Sequence, residues 1–311
     1  MSQSQSSLKL RIGTRGSKLA RTQTGMVEAL LSSAGADCEV VPIRTSGDRI
    51  QDRSLADAGG KGLFTKELED ALLDGRIDLA VHSMKDVPTY FPDGLGIAAL
   101  LPREDPRDAF LSHQAKCLSE LRKGARIGTS SVRRQAQVMR ARSDLEVVLL
   151  RGNVDTRIAK LDAGTLDAIL LAYAGLKRLG FEARATSLLS PDDWLPALAQ
   201  GAIGIEIRSD DMRTASFVKA LNDGPTATAL ACERAFQSAL DGSCRTPIAG
   251  LASFANGRLA FRGEVLAPDG SDFVSAQLDR ELGLDAVHEA EVAGRALGLE
   301  LKPRAARWLA Q

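Results

Sequence analysis

Hydrophobic and polar positions follow two different periods along the first two-thirds of the chain. Short apolar runs such as LKLRI (residues 8–12) and IDLAVHS (77–83) have the length and pattern of strands. Between them, the segment SKLARTQTGMVEALLSSAG (17–35) places its apolar residues on one helical face and ends at a glycine. Alternation of strands and helices at this spacing predicts parallel sheets that are covered by helices on both faces.

The same alternation continues to residue 172, and after residue 223 the order of elements changes. Further strand-like segments are CEVVPIRT (38–45), ARIGT (125–129), EVVLL (146–150) and LDAILLA (166–172). Further helix-like segments are FTKELEDALLDG (64–75), SVRRQAQVMRAR (131–142) and NVDTRIAKLDAG (153–164). The last third has a helix-like segment (226–240), three strand-like segments (247–254, 258–267, 273–280) and a final helix-like segment (285–298). This change of pattern predicts a separate small α+β domain at the C-terminal end.

Two irregular stretches interrupt the regular pattern. LPREDPR (101–107) is rich in proline and charge, and we predict a hinge there. A second break, SPDDWLPALAQGA, covers residues 190–202. With 311 residues, the chain is long enough for two or three domains, each with its own core.

Overall composition excludes several classes of protein. Forty basic and forty acidic residues cancel, so the net charge indicates neither a nucleic-acid-binding protein nor a membrane-surface protein. No run approaches eighteen apolar residues, and the first residues lack an apolar signal core. The four cysteines have no CxxC spacing, so neither a disulfide framework nor a metal site is indicated. We expect a cytoplasmic protein in a reducing compartment.

The net charge of zero conceals a local asymmetry. Between residues 120 and 180 there are twelve Lys and Arg against six Asp and Glu. Several arginines stand where a predicted strand meets a helix, namely Arg15, Arg133, Arg134, Arg151 and Arg157. Ligands of open α/β sheets bind at the carboxyl ends of the strands, so we predict a basic cleft at this edge.

The first turn of the helix after residue 131 favours an anionic ligand. Ser17, Ser131 and Asn153 are candidate N-caps, so backbone N–H groups should face the same edge. Arg133 and Arg134 oppose the dipole of their helix at a cost of roughly a few tenths of a kcal/mol. No GxxxxGK[ST] motif occurs, and the guanidinium fork matches carboxylates, so the ligand we favour is a polycarboxylate. A set of solvated surface arginines is the alternative.

Two further residues are candidates for chemistry, each with a simpler alternative. Asp86 follows a buried strand and precedes Val87-Pro88, which fixes it at the edge of the sheet. Its carboxylate could act in acid–base chemistry or stabilise a developing cation, or it could only pair with Lys85 or cap a turn. Cys244 lies in the turn DGSCRTPIAG, where Arg245 favours the thiolate, or it could be an inert turn residue.

Nine segments along nearly the whole chain resemble one family. They are RIGTRGSKLA, GGKGLFTKELE, AVHSMKDVP, REDPRDAF, IGTSSVRRQ, LRGNVDTR, LAYAGLKRLG, LPALAQGAIGIE and ERAF. In this order they resemble the porphobilinogen deaminase (hydroxymethylbilane synthase) family. The resemblance implies an α/β fold with two periplasmic-binding-protein-like, doubly wound lobes and a smaller α+β C-terminal domain. The implied boundaries are 1–101 with 202–219 for domain 1, 107–195 for domain 2, and 223–311 for domain 3.

The resemblance also implies an activity in tetrapyrrole (haem-type) biosynthesis. A transferase of this family condenses four porphobilinogen molecules head to tail, releases ammonia and yields linear hydroxymethylbilane. The reaction is primed by one dipyrromethane cofactor per chain, held through a thioether to Cys244. The other partners would be porphobilinogen alone, with no nucleic acid and no membrane, and the protein would be a monomer.

The resemblance further implies a role for individual residues. Asp86 and Lys85 would be catalytic and would also contact the cofactor. The remaining cofactor-binding positions would be Ser83, Thr129, Ser130, Ser131, Arg133, Arg134, Arg151 and Gly152. The substrate-binding positions would be Arg15, Ser17, Gln23, Arg151, Arg157, Arg178 and Gln200. No metal is expected.

Two other classes of function share parts of this pattern. A two-lobed solute-binding protein would have the same sheets and the same basic cleft, but not the cysteine-bearing third domain. A thiol hydrolase that uses Cys244 would need a histidine or an acid, which only the fold could bring near it.

Overall fold

The computed structural model describes residues 9–49, 62–240 and 246–309. Within these ranges the strands form two five-stranded sheets and one three-stranded sheet. From residue 9 to 100 the elements are β1 (Lys9–Arg15), α1 (Lys18–Ser33), β2 (Asp37–Ile43), α2 (Ser46–Arg49), α3 (Lys66–Leu73), β3 (Leu79–Ser83) and β4 (Leu95–Leu100). From residue 108 to 188 they are β5 (Asp108–Ser112), β6 (Arg126–Thr129), α4 (Val132–Ala141), β7 (Glu146–Leu149), α5 (Val154–Asp162), β8 (Ala168–Ala172), α6 (Tyr173–Arg178) and β9 (Ser187–Leu188). The remaining elements are β10 (Ile203–Arg208), α7 (Met212–Val218), α8 (Gly224–Ala239), β11 (Ile248–Ala255), β12 (Arg258–Leu266), β13 (Phe273–Glu281) and α9 (Ala286–Ala305).

The two five-stranded sheets have the same design. The first has the order β2-β1-β3-β10-β4, and the second has the order β7-β6-β8-β5-β9. In the first sheet β1 is parallel to β2 and β3, while β10 is antiparallel to β3 and β4. In the second sheet β6 is parallel to β7 and β8, while β5 is antiparallel to β8 and β9. We call the parts of the chain that build these sheets the first and second lobes.

The prediction of purely parallel sheets is therefore wrong in one respect, since both sheets are mixed. Two segments join the lobes, residues 101–107 and residues 190–202, and we call them the crossing segments. Strand β5 follows the first directly and begins the second lobe, and β10 follows the second and returns to the first lobe. A strand reached in this way needs no helical crossover and can lie antiparallel to its neighbour. Burial of a strand is visible in its sequence, but its direction is not.

The local sequence explains where helices α1, α4 and α5 begin. Ser17 and Ser131 cap α1 and α4, accepting hydrogen bonds from the backbone N–H groups of Ala20 and Arg134. Asn153 occupies the N-cap position of α5, but its side chain makes no capping hydrogen bond. Two of the three predicted side-chain caps are thus confirmed. At the end of α1, Gly35 has a φ of 89°, a left-handed conformation that glycine adopts without steric cost.

The third domain packs two helices against one face of a three-stranded antiparallel sheet, β11-β12-β13. Phe236 of α8 and Phe261 of β12 meet edge to face, with ring centroids 5.0 Å apart. Helix α9 approaches α8 closely at Gly298, where an added Cβ would lie 2.6 Å from the Cβ of Ala239. A larger residue at position 298 would therefore push the two helices apart.

A single buried carboxylate joins the third domain to both crossing segments. Glu233 of α8 is fully buried and accepts a 2.6 Å hydrogen bond from Arg103 in the first segment. It also accepts hydrogen bonds from the backbone N–H groups of Ala199 (2.5 Å) and Ala252 (2.7 Å). Ala199 has a φ of 59°, which is unusual for a residue with a side chain. The hydrogen bond that the Ala199 N–H donates to Glu233 helps to hold this strained position between the lobes.

Replacing Glu233 with glutamine should lower the free energy of unfolding by about 3 kcal/mol, because Arg103 would lose its buried counter-charge. Urea unfolding followed by circular dichroism measures the change. Asp279→Asn, which removes the exposed ion pair with Arg258, is the matched control and should cost about 1 kcal/mol or less. Equal effects of the two substitutions would contradict the role given to Glu233.

Candidate functional site

A cleft of about 860 Å³ lies between the lobes and reaches the third domain. This volume is near the upper end of the range of small-molecule sites. Most of the residues predicted from the sequence line it. Those residues are Arg15, Ser17, Gln23, Ser83, Lys85, Asp86, Ser130, Ser131, Arg133, Arg134, Arg151, Gly152, Arg157, Arg178 and Gln200.

Two predicted site residues are not placed in the wall of this cleft. Thr129 is buried at the end of β6, and its Oγ1 accepts a 3.1 Å hydrogen bond from the backbone N–H of Ser131. It therefore shapes the turn that carries Ser131 rather than facing the cavity. Cys244 lies outside the described residues, but Thr246, two positions further on, lines the cleft.

Asp86 projects from a short turn at the end of β3. Residues Met84–Asp86 form one turn of 3-10 helix, closed by a 3.2 Å hydrogen bond from the N–H of Val87 to the carbonyl of Met84. The Asp86 side chain is one-third exposed, and its Oδ2 lies 3.7 Å from Nη1 of Arg15. The neighbouring Lys85 points elsewhere, with its Nζ 3.4 Å from Oε1 of Gln200. The structure thus records Arg15, not Lys85, as the ion-pair partner of Asp86.

The remaining contacts of Arg15 keep its guanidinium group in place. Asp48 accepts a 2.6 Å hydrogen bond from its Nη2, and the ring of Phe64 lies 3.9 Å from its Cζ. Close by, Gln23 and Ser83 form hydrogen bonds of 2.8 and 3.0 Å with each other. Side chains that are locked in this way can present donors to a ligand with little loss of entropy on binding.

Arg133 and Arg134 already have part of their counter-charge inside the protein. Both are buried, and both bind the carboxylate of Asp108, through Nη1 at 2.8 Å and Nη2 at 2.7 Å respectively. From the sequence we expected an anionic ligand to balance these two arginines, with solvated surface arginines as the alternative. Their burial contradicts that alternative, and part of the counter-charge comes from Asp108, which is 25 positions from Arg133 along the chain. One carboxylate between two guanidinium groups still leaves a net positive charge at this place.

Asp108 accepts two further hydrogen bonds. Nε2 of Gln200 donates to it at 2.8 Å, and the indole N–H of Trp194 donates at 2.9 Å. Burial alone would raise the pKa of Asp108, but Arg133 and Arg134 outweigh it and hold that pKa far below its usual range. Asp108 therefore carries a negative charge at neutral pH.

The other arginines border the cleft from the second lobe. Nε of Arg157 donates to the carbonyl of Gly152 at 2.8 Å, and its Nη2 donates to Oγ of Ser130 at 3.2 Å. Burial, reinforced by the nearby arginines, lowers the pKa of Arg157 to about 10. Nη2 of Arg178 donates to the carbonyl of Gly201 at 2.6 Å, while its buried Nε–H has no protein acceptor among the described residues.

The charge of the cleft is strongly one-sided. Ten basic side chains and three acidic ones line its described part, a surplus of seven positive charges. Arg44, Asp48 and Phe64 also belong to this lining and were not predicted from the sequence. Such a cavity is suited to a ligand with several carboxylates or phosphates.

Two other kinds of site are not found in the part of the chain that the structure describes. No cluster of three or more His, Cys, Asp or Glu side chains is arranged to bind a metal ion there. None of the described helices has the length and apolar character needed to cross a membrane.

Lys85 should give the protein a characteristic pH dependence. Lys85 as a residue is exposed to the cleft, but the surrounding protein keeps water away from its ammonium group and lowers the pKa of Lys85 to about 8, from an ordinary value of 10.5. Between these two values the unfolded chain holds a proton that the folded chain has lost, so the free energy of unfolding should rise with pH. Urea unfolding at several pH values from 8 to 10.5 should show this rise, and Lys85→Met should lack it. Lys219→Met, at a lysine outside the cleft lining, is the control, and identical curves for all three proteins would contradict the prediction.

Comparison with solved structures yields distant likenesses in fold. A periplasmic substrate-binding protein of an ABC transporter from Coxiella burnetii is 15% identical, with a TM-score of 0.44, over 70% of this chain and 93% of that chain. A nutrient-binding protein from Burkholderia cenocepacia, bound to methionine, is 14% identical, with a TM-score of 0.43, over 70% and 93%. Neither likeness bears on the function of this chain.

Comparison by sequence is far more specific. A curated porphobilinogen deaminase of Nitrobacter hamburgensis is 53% identical over 293 residues, 89% of this chain and 91% of the relative. That of Paracoccus denitrificans is 53% identical over 272 residues, 86% and 87% of the two chains. Residues 10–216 match the family model of the porphobilinogen deaminase dipyromethane cofactor binding domain, and residues 227–303 match that of the C-terminal domain. The chain therefore belongs to the porphobilinogen deaminase family.

Proposed function

We propose that this protein condenses four porphobilinogen molecules head to tail into linear hydroxymethylbilane, primed by a dipyrromethane bound to Cys244. The observation that carries the proposal is a cleft with a surplus of seven positive charges in a chain of this family. Every pyrrole unit has an acetate and a propionate arm, so each addition brings two more negative charges into the cleft. Family membership also favours an enzyme over a solute-binding protein with a similar two-lobed shape.

The residues that line the cleft fit a dipyrromethane. Its two pyrrole rings carry four carboxylates, and the second lobe offers the guanidinium groups of Arg133, Arg134, Arg151 and Arg178. The Nε–H groups of Arg133, Arg134 and Arg178 are buried and have no protein acceptor among the described residues. These groups have donor capacity left for a carboxylate after their contacts within the protein. When bound, the cofactor supplies the free pyrrole carbon to which the first substrate is joined.

Asp86 has the position required of the acid–base group. It lies in the wall of the cleft, one-third exposed, where it can accept hydrogen bonds from pyrrole N–H groups. In each cycle the C–N bond of the substrate breaks and ammonia leaves, a C–C bond forms to the terminal α-carbon of the growing chain, and that carbon gives up its proton. Positive charge develops on the substrate as ammonia leaves, and a fixed carboxylate stabilises that charge. After the fourth addition, water would cleave the C–C bond between the product and the cofactor, with the hydroxyl group going to the product and the proton to the cofactor's ring carbon.

The side chains around Asp86 orient the substrate. Arg15, which lies 3.7 Å from Asp86, is held by Asp48 and can bind a carboxylate of the incoming unit. Ser17 is the N-cap of α1, so the N-terminal N–H groups of that helix lie near this point. Arg157 and Arg178 border the opposite side of the cleft and are available to later units of the growing chain.

The division into domains is part of this proposal. Domain 1 would comprise residues 1–101 with 202–219, domain 2 residues 107–195, and domain 3 residues 223–311. The separation of the strands into three sheets supports these boundaries, and the crossing segments between the lobes support movement about residues 101–107.

A monomer in the cytoplasm is the simplest setting for this activity. Three described cysteines, Cys38, Cys117 and Cys232, have free thiols, which suits a reducing compartment. Both points remain predictions.

Intact-protein mass spectrometry should show two pyrrole units added to the chain, and Cys244→Ser should lack them. Cys117→Ser, which alters a thiol remote from the cleft lining, should keep them. Ehrlich's reagent provides an independent readout because it colours dipyrromethanes that have a free α-position. A fully active protein with an unmodified Cys244 would exclude the proposed function.

Asp86→Asn should lower kcat at least about 100-fold, because the amide keeps the shape but cannot stabilise a developing cation. Substrate binding should persist, since the cleft arginines are unchanged. Single-turnover experiments with mass detection separate binding from the first addition. Asp155→Asn, at another cleft-lining carboxylate, is the control and should change kcat only slightly. Near-normal turnover by Asp86→Asn would remove Asp86 from its role.

A further inference from the structure

One half-buried arginine of the third domain, Arg234, contacts the segment that carries Asp86 without belonging to the cleft lining. Arg234 belongs to α8, directly after Glu233. Its Nη1 donates to the carbonyl of Val87 at 3.2 Å, and its Nη2 donates to the carbonyl of Pro88 at 2.6 Å. These are the first two residues after Asp86, so the contact reaches across a domain boundary to the proposed catalytic turn.

The geometry of this contact is fixed by its surroundings. Burial lowers the pKa of Arg234 to about 10, while nearby Glu206 opposes that change, so the side chain stays charged at neutral pH. Its guanidinium carbon also lies 5.3 Å from the ring centroid of Phe91, within the range of a cation–π contact. A planar fork held on two successive carbonyls fixes the direction of the backbone as well as its position.

The turn needs an anchor because it is short. Residues Met84–Asp86 form one turn of 3-10 helix, and the following Val87 is already extended. Pro88 has no N–H, so the backbone beyond Asp86 cannot continue a hydrogen-bonded helix. Met84 and Val87 are buried in an apolar cluster, which holds one side of the turn. Arg234 holds the backbone on the side that follows Asp86.

We propose that Arg234 is a positioning residue for Asp86, an inference that rests on the catalytic role given to Asp86 above. By binding the carbonyls of Val87 and Pro88, it keeps the Asp86 carboxylate at one place while the lobes move during elongation. Helix α8 also leads along the chain into residues 241–245, which include Cys244. One helix therefore anchors the catalytic turn and immediately precedes the residue that carries the cofactor.

Arg234→Met tests the proposal by removing both hydrogen bonds while keeping an apolar side chain of similar length. We expect kcat, counted per cofactor-loaded molecule, to fall about 10- to 100-fold, since a displacement of about 1 Å is enough for such a loss. KM should stay within about 3-fold, because the residues that bind carboxylates are untouched. Arg234→Lys, which keeps one donor, should recover part of kcat.

Arg262→Met is the matched control. Arg262 is also an arginine of the third domain that donates to two successive carbonyls, those of Pro191 and Asp192 in the segment between the lobes. It has the same type of contact but is remote from Asp86, so its loss should lower Tm and leave kcat unchanged. If Arg234→Met likewise lowers only Tm, or lowers kcat no more than Arg262→Met does, the proposal is wrong.

A double-mutant cycle with Asp86→Glu shows whether Arg234 acts through Asp86. Glutamate already displaces the carboxylate, so adding Arg234→Met should cost much less than it does in the wild type. Equal costs in both backgrounds would contradict the proposal. If Arg234→Met does not fold, the same measurements are made on Arg234→Lys. An unchanged kcat of Arg234→Lys would then contradict the proposal. A fully active Asp86→Asn would overturn the proposed function instead, so the two failures are distinguishable.

Discussion

The cleft depends on one buried carboxylate, that of Asp108. Arg133, Arg134, Gln200 and Trp194 all donate hydrogen bonds to it, so the second lobe and a crossing segment meet at this group. Burial of two guanidinium groups would destabilise the folded protein if they had no counter-charge. With one shared carboxylate they stay rigid, and a positive charge remains for the ligand.

Rigid hydrogen-bond donors matter because the proposed ligand becomes longer in each catalytic cycle. Each added pyrrole unit brings two carboxylates, and the cleft must bind them without being rebuilt in every cycle. Arg15 on Asp48, and Arg133 and Arg134 on Asp108, are oriented before any ligand arrives, so less entropy is lost on binding. Glu233 in turn holds the segments between the lobes, through Arg103 and the backbone N–H of Ala199.

Much of the fold and most of the cleft residues could be predicted from the sequence. The direction of some strands and several contacts between side chains could not, for physical reasons. The periodicity located the long helices and most strands, but not β4, β5, β9 and β10, and the strand-to-helix turns located most of the cleft arginines. The antiparallel direction of β5 and β10 was not predictable, because a buried strand has the same composition in either direction. The pairing of Asp108 with Arg133 was missed because it joins residues from different elements. Motif resemblance identified Asp86, but its contact with Arg15 appears only in three dimensions.

A crystal structure of the protein with its dipyrromethane attached would test the central claim most directly. The account predicts that Arg133 and Arg134 remain on Asp108 and that their other N–H groups lie about 3 Å from carboxylate oxygens of the cofactor. Carboxylates that face solvent, or arginines that leave Asp108 to reach them, would contradict it.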